Sequence, residues 1–433
     1  MCRCWYRHGH TARIGEVERS MRKRLAQSVM ARLEALGRIS ENQDCLIRTF
    51  CSPAMGRANK LVGSWMREAG MTVRQDAIGN LIGHYAGKGR NREEKVLVLG
   101  SHLDTVRDAG KFDGPLGVIT AIACVQQLYE KSIRLPFAID VLGFADEEGV
   151  RFHKGYLGST ALAGTFDARD LNRKDAGGIT MRQAIRDFGG KPDALAGARS
   201  DPGGLLGYVE AHIEQGPVLE KKGLALGVVT AIAGQTRAHL AFTGQAGHAG
   251  TTPIALRRDA LCAAAQFILE VEAVAKARAG LVATVGAVQV CPGVSNVIPA
   301  RAELSLDVRH TSDEIRRAAC ARLRKCAGTI AAARKLKVDW QLVSETAAVQ
   351  CDADLSAMLG EAVRGHQKSL LRLASGAGHD AAAMATITPV AMLFVRCKGG
   401  LSHHPDESAS DADIRMAIEV MGDFLQRLAS HHG

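Results

Sequence analysis

The stretch VLGSHLDTVRDAGKFDGPLGV, residues 98–118, places three ionisable side chains directly after an apolar run. His102 and Asp104 follow the run KVLVLG (95–100), and Asp113 comes nine residues later in a glycine-rich turn. A short, continuous apolar run is typical of a strand that is buried on both faces of a sheet. The stretch therefore predicts a buried strand whose end carries polar groups.

The segments around this stretch alternate between helix and strand patterns. GVITAIACVQQLYEK predicts a helix, and FAIDVLGF (137–144) predicts a second buried strand that runs into Asp146, Glu147 and Glu148. Such alternation predicts the α/β class, with a mixed, largely parallel sheet flanked by helices. Ligands bind beyond the carboxyl ends of the strands in such sheets, so we expect the two polar groups to meet at one edge.

Length, composition and charge exclude several classes of protein. The chain has 433 residues, which predicts two or more domains, and it is 46% hydrophobic and 23% charged, as expected of a soluble globular protein. No apolar run reaches the ~18 residues of a membrane helix. The net charge of +10 is spread thinly, and its densest cluster is RSMRKR near the N-terminus. Neither a membrane nor a nucleic-acid partner is predicted, whereas a small anionic substrate is compatible with the charge.

The cysteines predict a reducing compartment. There are 11 of them, scattered and without a CxxC pair, which favours free thiols in a cytoplasmic protein. The N-terminal 24 residues have no apolar core of the signal-peptide type, and we expect them to be a disordered leader.

A different pattern begins near residue 230. TRAHLAF, GLVATVGAVQV, ARAELSLDVRH and KVDWQLV predict strands, and residues 256–278 and 312–335 predict helices. The order β-α-β-β-α-β is that of a ferredoxin-like α+β unit. The continuous apolar run PVAMLFV (389–395) again predicts a strand of the buried kind. We therefore expect a catalytic domain over residues 1–229 and 346–433, with an inserted domain over residues 230–345.

Each candidate site residue has a common structural explanation when it is taken alone, but the set of residues indicates a metal site. A lone histidine at a strand end is usually hydrogen-bonded, and an acidic triplet is usually solvated. As a set, their carboxylates and imidazoles suit a pair of divalent ions. Asp104 could also accept the second ring N–H of His102 and so fix its tautomer. The set comprises His102, Asp104, Asp113, Glu147, Glu148, His212 and His403.

Six motifs in order resemble the M20 metallopeptidase family, in its hydantoinase/carbamoylase branch. They are GSHLDTV, DGPLG, DEEGVRF, EAHIEQGPVLE, GHAGTTP and GLSHHPDE, and the resemblance covers the chain from about residue 25 onward. It implies a zinc-exopeptidase-like catalytic domain with an inserted domain that acts as a lid. It also implies a homodimer in which two chains associate through their inserted domains. It also implies two divalent ions per subunit, zinc or manganese, with nickel or cobalt as further options.

The resemblance also implies a role for each motif residue. His102, Asp113 and His212 would bind one metal, and Asp113, Glu148 and His403 the other, with Asp113 bridging. Glu147 would be the general base, with Asp104 supporting the site and His248 stabilising the oxyanion. His404 occupies the variable place of the last motif and is not expected to bind.

Substrate contacts are expected mainly from the inserted domain. In ARAELSLDVRH the apolar positions alternate, so Glu303, Ser305, Asp307 and Arg309 share the polar face. Arg309 suits a bidentate grip on a carboxylate, although a plain ion pair near Asp307 is the alternative. By resemblance, Asn296 shares that role, and Gln215, Gln235 and His379 are further substrate contacts.

The resulting functional prediction is hydrolysis of a ureido C–N bond in a small carboxylate. The segment AIAGQTR (231–237) favours allantoate amidohydrolase, because extra polar groups would suit the two ureido groups of allantoate. N-carbamoyl-L-amino-acid hydrolase and β-ureidopropionase are the alternatives, followed by an aminoacylase or dipeptidase. A catalytically silent binding protein is the remote option, and the presence of Glu147 with all five ligand positions speaks against it.

Overall fold

The computed structural model describes residues 24–89, 94–197 and 200–432. The predicted leader therefore lies outside the described residues, except for Arg24, which is helical and not disordered. The chain divides into two compact units. The first runs to Thr230 and also contains Cys351–Leu373 and the chain from His379 onward; the second contains Ala231–Gln350 and Ala374–Gly378.

The elements follow one another in an alternating order. The helices are α1 (24–37), α2 (Pro53–Glu68), α3 (Pro115–Glu130), α4 (Leu157–Ala163), α5 (Met181–Asp187), α6 (Val218–Lys222), α7 (Ala260–Lys276), α8 (Asp313–Ala333), α9 (Ala353–His366), α10 (Asp380–Met384) and α11 (Asp411–His432). The strands are β1 (Thr72–Gln75), β2 (Leu81–Tyr85), β3 (Val96–His102), β4 (Ala138–Phe144), β5 (Leu205–Ile213), β6 (Leu226–Ile232), β7 (Gly234–Thr243), β8 (Gly247–His248), β9 (Val282–Thr284), β10 (Val288–Cys291), β11 (Val297–Ile298), β12 (Arg301–His310), β13 (Lys337–Thr346), β14 (Val349–Gln350), β15 (Leu371–Ser375) and β16 (Val390–Val395).

The first unit is built on a mixed sheet in the order β1-β2-β4-β3-β5-β16-β6. Its four central strands, β4, β3, β5 and β16, are parallel, and the strands outside them pair antiparallel. The register places His102 beside Phe144 and Phe394 beside His212, so the carboxyl ends of the central strands lie at one edge. The prediction of a largely parallel sheet is confirmed, and this edge positions the site.

Apolar residues hold the helices of this unit against the sheet. In α3 twelve residues are buried, from Pro115 to Val125 and Leu128, because the helix lies between the sheet and α11. The helix α2 buries Val62, Trp65 and Met66, and the Ser52 side chain caps its first turn. These helices and strands share one hydrophobic core.

The second unit has the predicted ferredoxin-like order. Its antiparallel sheet runs β10-β12-β7-β13, and α7 and α8 bury their apolar faces in the unit's own core. Three details differ from the predictions. The helix predicted from residue 256 begins at Ala260, because the Asp259 side chain accepts the N–H groups of Leu261 and Cys262. The strand predicted over 280–290 is split around Gly286 into β9 and β10, both paired with β12. The short β8–β11 pair, which carries His248, has no counterpart among the predicted strands.

Candidate metal and active site

The predicted polar groups meet where the central strands of the first unit end. His102 is the last residue of β3, His212 lies near the end of β5, and Asp146, Glu147 and Glu148 follow β4. His102 and His212 are only 2% and 1% exposed, so their imidazoles are held within packed protein. The structure therefore places these residues at the sheet edge that the sequence predicts.

Asp113 enters the cluster from the turn before α3. The glycine after it has φ +81°, a conformation that side chains rarely adopt, and a Cβ at Gly114 would lie 2.5 Å from the His102 ring. The turn can approach the imidazole this closely only because residue 114 is glycine. The DGPLG motif thus brings the Asp113 carboxylate against the end of β3.

The Asp113 carboxylate faces three imidazoles. Its Oδ1 lies 3.1 Å from Nε2 of His212 and 3.7 Å from Nε2 of His102, and its Oδ2 lies 3.0 Å from Nε2 of His403. The same His403 nitrogen lies 3.2 Å from Oε1 of Glu148. Asp113 is therefore shared by a His102–His212 side and a Glu148–His403 side.

Two of these histidines have a fixed ring orientation. Nδ1 of His102 lies 3.0 Å from the main-chain oxygen of Asp104, and Nδ1 of His212 lies 2.9 Å from that of Ile213. A carbonyl oxygen only accepts, so in both rings Nδ1 carries a proton and Nε2 is the atom that faces Asp113. When such a ring is neutral, its Nε2 offers a lone pair to a metal ion. This donor set fits a divalent ion.

The observed contact between Asp104 and His102 differs from the predicted one. The Asp104 carboxylate is 3.4 Å from Nδ1 of His102, but the main-chain oxygen of Asp104 is closer to the ring. The carboxylate instead accepts the main-chain N–H groups of Glu147 and Glu148, at 2.9 and 3.1 Å. The main-chain oxygen of Asp104 therefore fixes the His102 ring. The Asp104 side chain fixes residues 146–148, which we call the acidic loop.

Burial and neighbouring charges shift the pKa values of several side chains in this cluster. Burial raises the pKa of Glu147 well above its usual range, and the neighbouring Glu148 raises it further. The pKa of His403 rises to about 10 because it contacts the Asp113 and Glu148 carboxylates. Burial lowers the pKa of His379, and the nearby His212 lowers it further. His379 is fully buried with its ring 4.6 Å from that of His212, which makes it a neutral neighbour of the cluster.

Four ligand groupings occur among the described residues, each with donor atoms within 4.8 Å of one another. Two match the predicted metal positions, and they share Asp113. The other two are built around His212 and His102. The groupings are His102–Asp113–His212, Asp113–Glu148–His403, Glu210–His212–His379 and His102–Glu147–Glu148.

His404 lies differently from His403. Its Nδ1 accepts the N–H of Asp406 at 3.1 Å, and its side chain is 50% exposed. His403 has a left-handed backbone (φ 54°), which is rare for a residue with a side chain and is common where function constrains the chain. Of these two adjacent histidines, His403 is the one within 3.2 Å of Asp113 and Glu148.

Three further residues contact Asp113. Gln215, predicted as a substrate contact, donates its amide N–H to Oδ2 of Asp113 at 2.9 Å, and its Oε1 is buried without a hydrogen-bond partner among the described residues. Ser402 and Glu407, which have no predicted role, also contact this aspartate. The only sequence signal for them is their place in the motif GLSHHPDE.

The polar face of β12 in the second unit forms a compact charged group. Asp307 binds Arg309 through two hydrogen bonds, at 2.9 and 3.0 Å, and also accepts from Gln235 at 2.7 Å and Arg237 at 3.3 Å. Arg309 and Gln235 are direct cross-strand neighbours, as are Asp307 and Arg237. A further Arg309 N–H donates to the Gly376 carbonyl. Three of its five donors are thus used, which leaves one N–H on each terminal nitrogen.

The β8–β11 pair holds His248 and Asn296 near each other in this unit. The main-chain oxygen of Asn296 accepts the N–H of Ala249. Nδ1 of His248 accepts the N–H groups of Gly250 and Thr251, at 3.1 and 3.2 Å. The neutral ring therefore carries its proton on Nε2, where it is a hydrogen-bond donor.

Comparisons with known proteins agree with the motifs. Residues 98–427 match the model of peptidase family M20/M25/M40. The chain belongs to this family. All six motifs lie inside the matched residues, and the predicted family is confirmed.

Relatives within the M20 family have names of two kinds. A probable allantoate deiminase of Oryza sativa is 39% identical, over 94% of this chain and 89% of its own. An N-carbamoyl-L-amino acid amidohydrolase of Geobacillus stearothermophilus is 42% identical, over 86% and 91%. The crystal structure of a hydantoinase/carbamoylase family amidase from Burkholderia multivorans superposes with a TM-score of 0.87 at 32% identity, and covers 93% of this chain and 98% of the amidase.

Proposed function

We propose that this protein is a metal-dependent amidohydrolase that cleaves a ureido C–N bond of a small carboxylate. The observation that carries the proposal is the Asp113 carboxylate, which faces three imidazoles and a second carboxylate at the sheet edge. Imidazole and carboxylate groups that converge in this way are common ligands of divalent ions. The M20 relatives with amidohydrolase and deiminase names support the reaction class.

The proposed metal centre takes two divalent ions. His102, Asp113 and His212 would hold one, and Asp113, Glu148 and His403 the other. Imidazole and carboxylate together suit zinc and manganese, and nickel or cobalt would also fit. Ions in such a pair lower the pKa of water and polarise a carbonyl group.

The chain's own residues would manage the proton and the developing charge. Glu147 takes a proton from the attacking water and passes it to the leaving nitrogen, and its raised pKa suits a group that must hold a proton between the two steps. Asp104 keeps Glu147 and Glu148 in place through their main-chain N–H groups. The Nε2 proton of His248 is the donor proposed for the oxyanion.

Arg309 is proposed to bind the substrate carboxylate with its two remaining N–H groups, and Asn296 assists. Gln235, Gln215 and His379 are proposed as further contacts. We also propose that the second unit, which carries Arg309, acts as a lid.

Allantoate is the favoured substrate. Gln235 and Arg237 give the face around Arg309 additional polar groups, which suits a carboxylate flanked by two ureido groups. An N-carbamoyl-L-amino acid is the second candidate, and the 42% identity to the Geobacillus enzyme favours it.

A release assay on metal-loaded protein tests the proposal. Allantoate, N-carbamoyl-amino acids, β-ureidopropionate and N-acetyl-amino acids are compared side by side, with ammonia and amine release as the readout. We expect turnover of ureido substrates, highest with allantoate. Hydrolysis of the N-acetyl compounds alone would assign an aminoacylase, and no turnover of any of the four would contradict the proposal.

We further propose a cytoplasmic homodimer. Several apolar side chains of the second unit are exposed, among them Ile254 at 77%, Leu256 at 73% and Leu269 at 66%, and they would be covered in a homodimer formed through this unit. The nine described cysteines are all free, as in a cytoplasmic protein. No helix among the described residues is long and apolar enough to cross a membrane. Light scattering that gives a monomer would contradict the dimer.

A further inference from the structure

Glu407 is a buried carboxylate with no part in the proposed chemistry. It is 2% exposed, and its Oε1 accepts the main-chain N–H groups of Phe112 and Asp113, at 2.9 and 3.0 Å. Two bonds to consecutive N–H groups fix the orientation of a peptide segment. Glu407 therefore holds the backbone of the residue whose side chain faces the three imidazoles.

The packing around Glu407 shows that this contact is built into the fold. A Cβ at Gly110 would lie 2.3 Å from Cβ of Glu407 and 2.4 Å from its Oε1. The segment 110–113 can lie against the glutamate only because residue 110 is glycine.

The other oxygen of Glu407 reaches the second ligand-bearing loop. Oε2 accepts the Ser402 hydroxyl at 3.0 Å, and the same hydroxyl lies 3.0 Å from Oδ2 of Asp113. Ser402 directly precedes His403. One carboxylate thus links the loop that carries Asp113 to the loop that carries His403.

We propose that Glu407 is a positioning residue that sets the separation of Asp113 and His403, and with it the affinity for divalent ions. The proposal rests on the proposed metal centre. Glu407 acts through the backbone of Asp113 and through Ser402, and it is not itself a ligand. Residues that orient metal ligands in this way typically change metal affinity by ~10–100-fold when they are removed.

Two substitutions of Glu407 separate the effect of its hydrogen bonds to the two loops from the effect of its negative charge. Glu407→Ala removes all three hydrogen bonds. Glu407→Gln keeps an acceptor for both main-chain N–H groups and offers an amide N–H to Ser402, whose single hydroxyl hydrogen can then go to Asp113. The glutamine variant should therefore keep the geometry.

Glu214 provides the matched control. It is also a buried glutamate, 8% exposed, and it accepts two consecutive main-chain N–H groups, from Val218 at 2.7 Å and Leu219 at 2.8 Å. These bonds hold the start of α6 and do not involve Asp113 or His403. Glu214→Ala loses comparable bonds without disturbing the link.

The experiment measures Zn²⁺ affinity of the full chain by competition with a chromophoric chelator, and circular dichroism checks the fold. We expect Glu407→Ala to bind at least one Zn²⁺ ~10–100-fold more weakly, with Glu407→Gln and Glu214→Ala close to wild type. Wild-type affinity in Glu407→Ala, an equal loss in Glu214→Ala, or an equal loss in Glu407→Gln would overturn the proposal. If the alanine variant does not fold, Glu407→Asp keeps the charge with a shorter reach and should also lose affinity; wild-type affinity there would overturn the proposal as well. A wild-type chain that binds no Zn²⁺ would instead refute the metal centre.

Discussion

The two units hold their functional side chains in different ways. In the first unit the candidate ligands His102 and His212 lie at buried strand ends, and their rings are fixed by main-chain carbonyls. In the second, Arg309 lies on a partly exposed sheet face and His248 in the short β8–β11 pair, and each keeps donors available. The first arrangement suits a metal centre that is in place before substrate arrives, and the second suits groups that engage the substrate itself.

Among the described residues, each unit has one completely buried arginine, and the two arginines have different partners. The Arg48 guanidinium donates to three main-chain carbonyls, including that of Leu103 between His102 and Asp104. Arg316 in the second unit donates to the carboxylates of Asp313 and Glu345. The first unit thus holds its buried arginine with main-chain carbonyls, whereas the second pairs its buried arginine with two carboxylates of its own fold.

The largest expected effect is the loss of the proposed general base. Glu147→Gln keeps the shape of the side chain and removes the base, so kcat should fall by ~10²–10⁴-fold while the metal content is unchanged. Elemental analysis and turnover measurements check this. A fully active variant would show that Glu147 has another role.

Metal removal should affect the units unequally. Bound ligand at ~100 times its dissociation constant stabilises a folded state by about 2.7 kcal/mol, and all proposed ligands lie in the first unit. After treatment with EDTA, hydrogen exchange should therefore increase around β3, β5 and the acidic loop, and it should change little in β7 and β12. Equal deprotection of both units would contradict this separation.

Arg309→Ala tests whether the second unit binds the substrate carboxylate. A hydrogen bond to a charged group contributes about 1.5–3 kcal/mol, so KM for a carboxylate substrate should rise by roughly ten- to a hundredfold. A substrate whose carboxylate is amidated should lose much less, and metal content should not change. Equal losses on both substrates would mean that Arg309 is structural.

The smallest expected effect concerns Asp307, which orients Arg309. Asp307→Asn keeps one acceptor oxygen but loses the charge that pairs with two arginines. Ion pairs that are partly exposed contribute about 0.2–1 kcal/mol, so KM should rise by no more than roughly fivefold. The Arg309→Ala, Asp307→Asn double variant should be no worse than Arg309→Ala alone. Additive losses would show that Asp307 acts independently of the clamp.

The sequence is informative where burial imposes a pattern. The runs at 95–100 and 137–144 are apolar because their strands are covered on both faces, and they point to the sheet edge and to His102, Asp113 and Glu147. The alternation in ARAELSLDVRH likewise predicts which side chains of β12 are buried.

Contacts between distant segments cannot be predicted from local patterns. Glu407 lies 294 residues from Asp113, and no periodicity links them. The preference of the Asp104 carboxylate for two main-chain N–H groups also depends on how the acidic loop folds back.

The central claim is that the first unit holds two metal ions through one shared carboxylate. Metal equivalents per chain, measured by elemental analysis after loading and desalting, test it most directly in three proteins. We predict two equivalents for the wild type, one for His403→Ala and two for His404→Ala, because only His403 faces Asp113 and Glu148. One equivalent in the wild type, or a loss in His404→Ala with none in His403→Ala, would contradict the account.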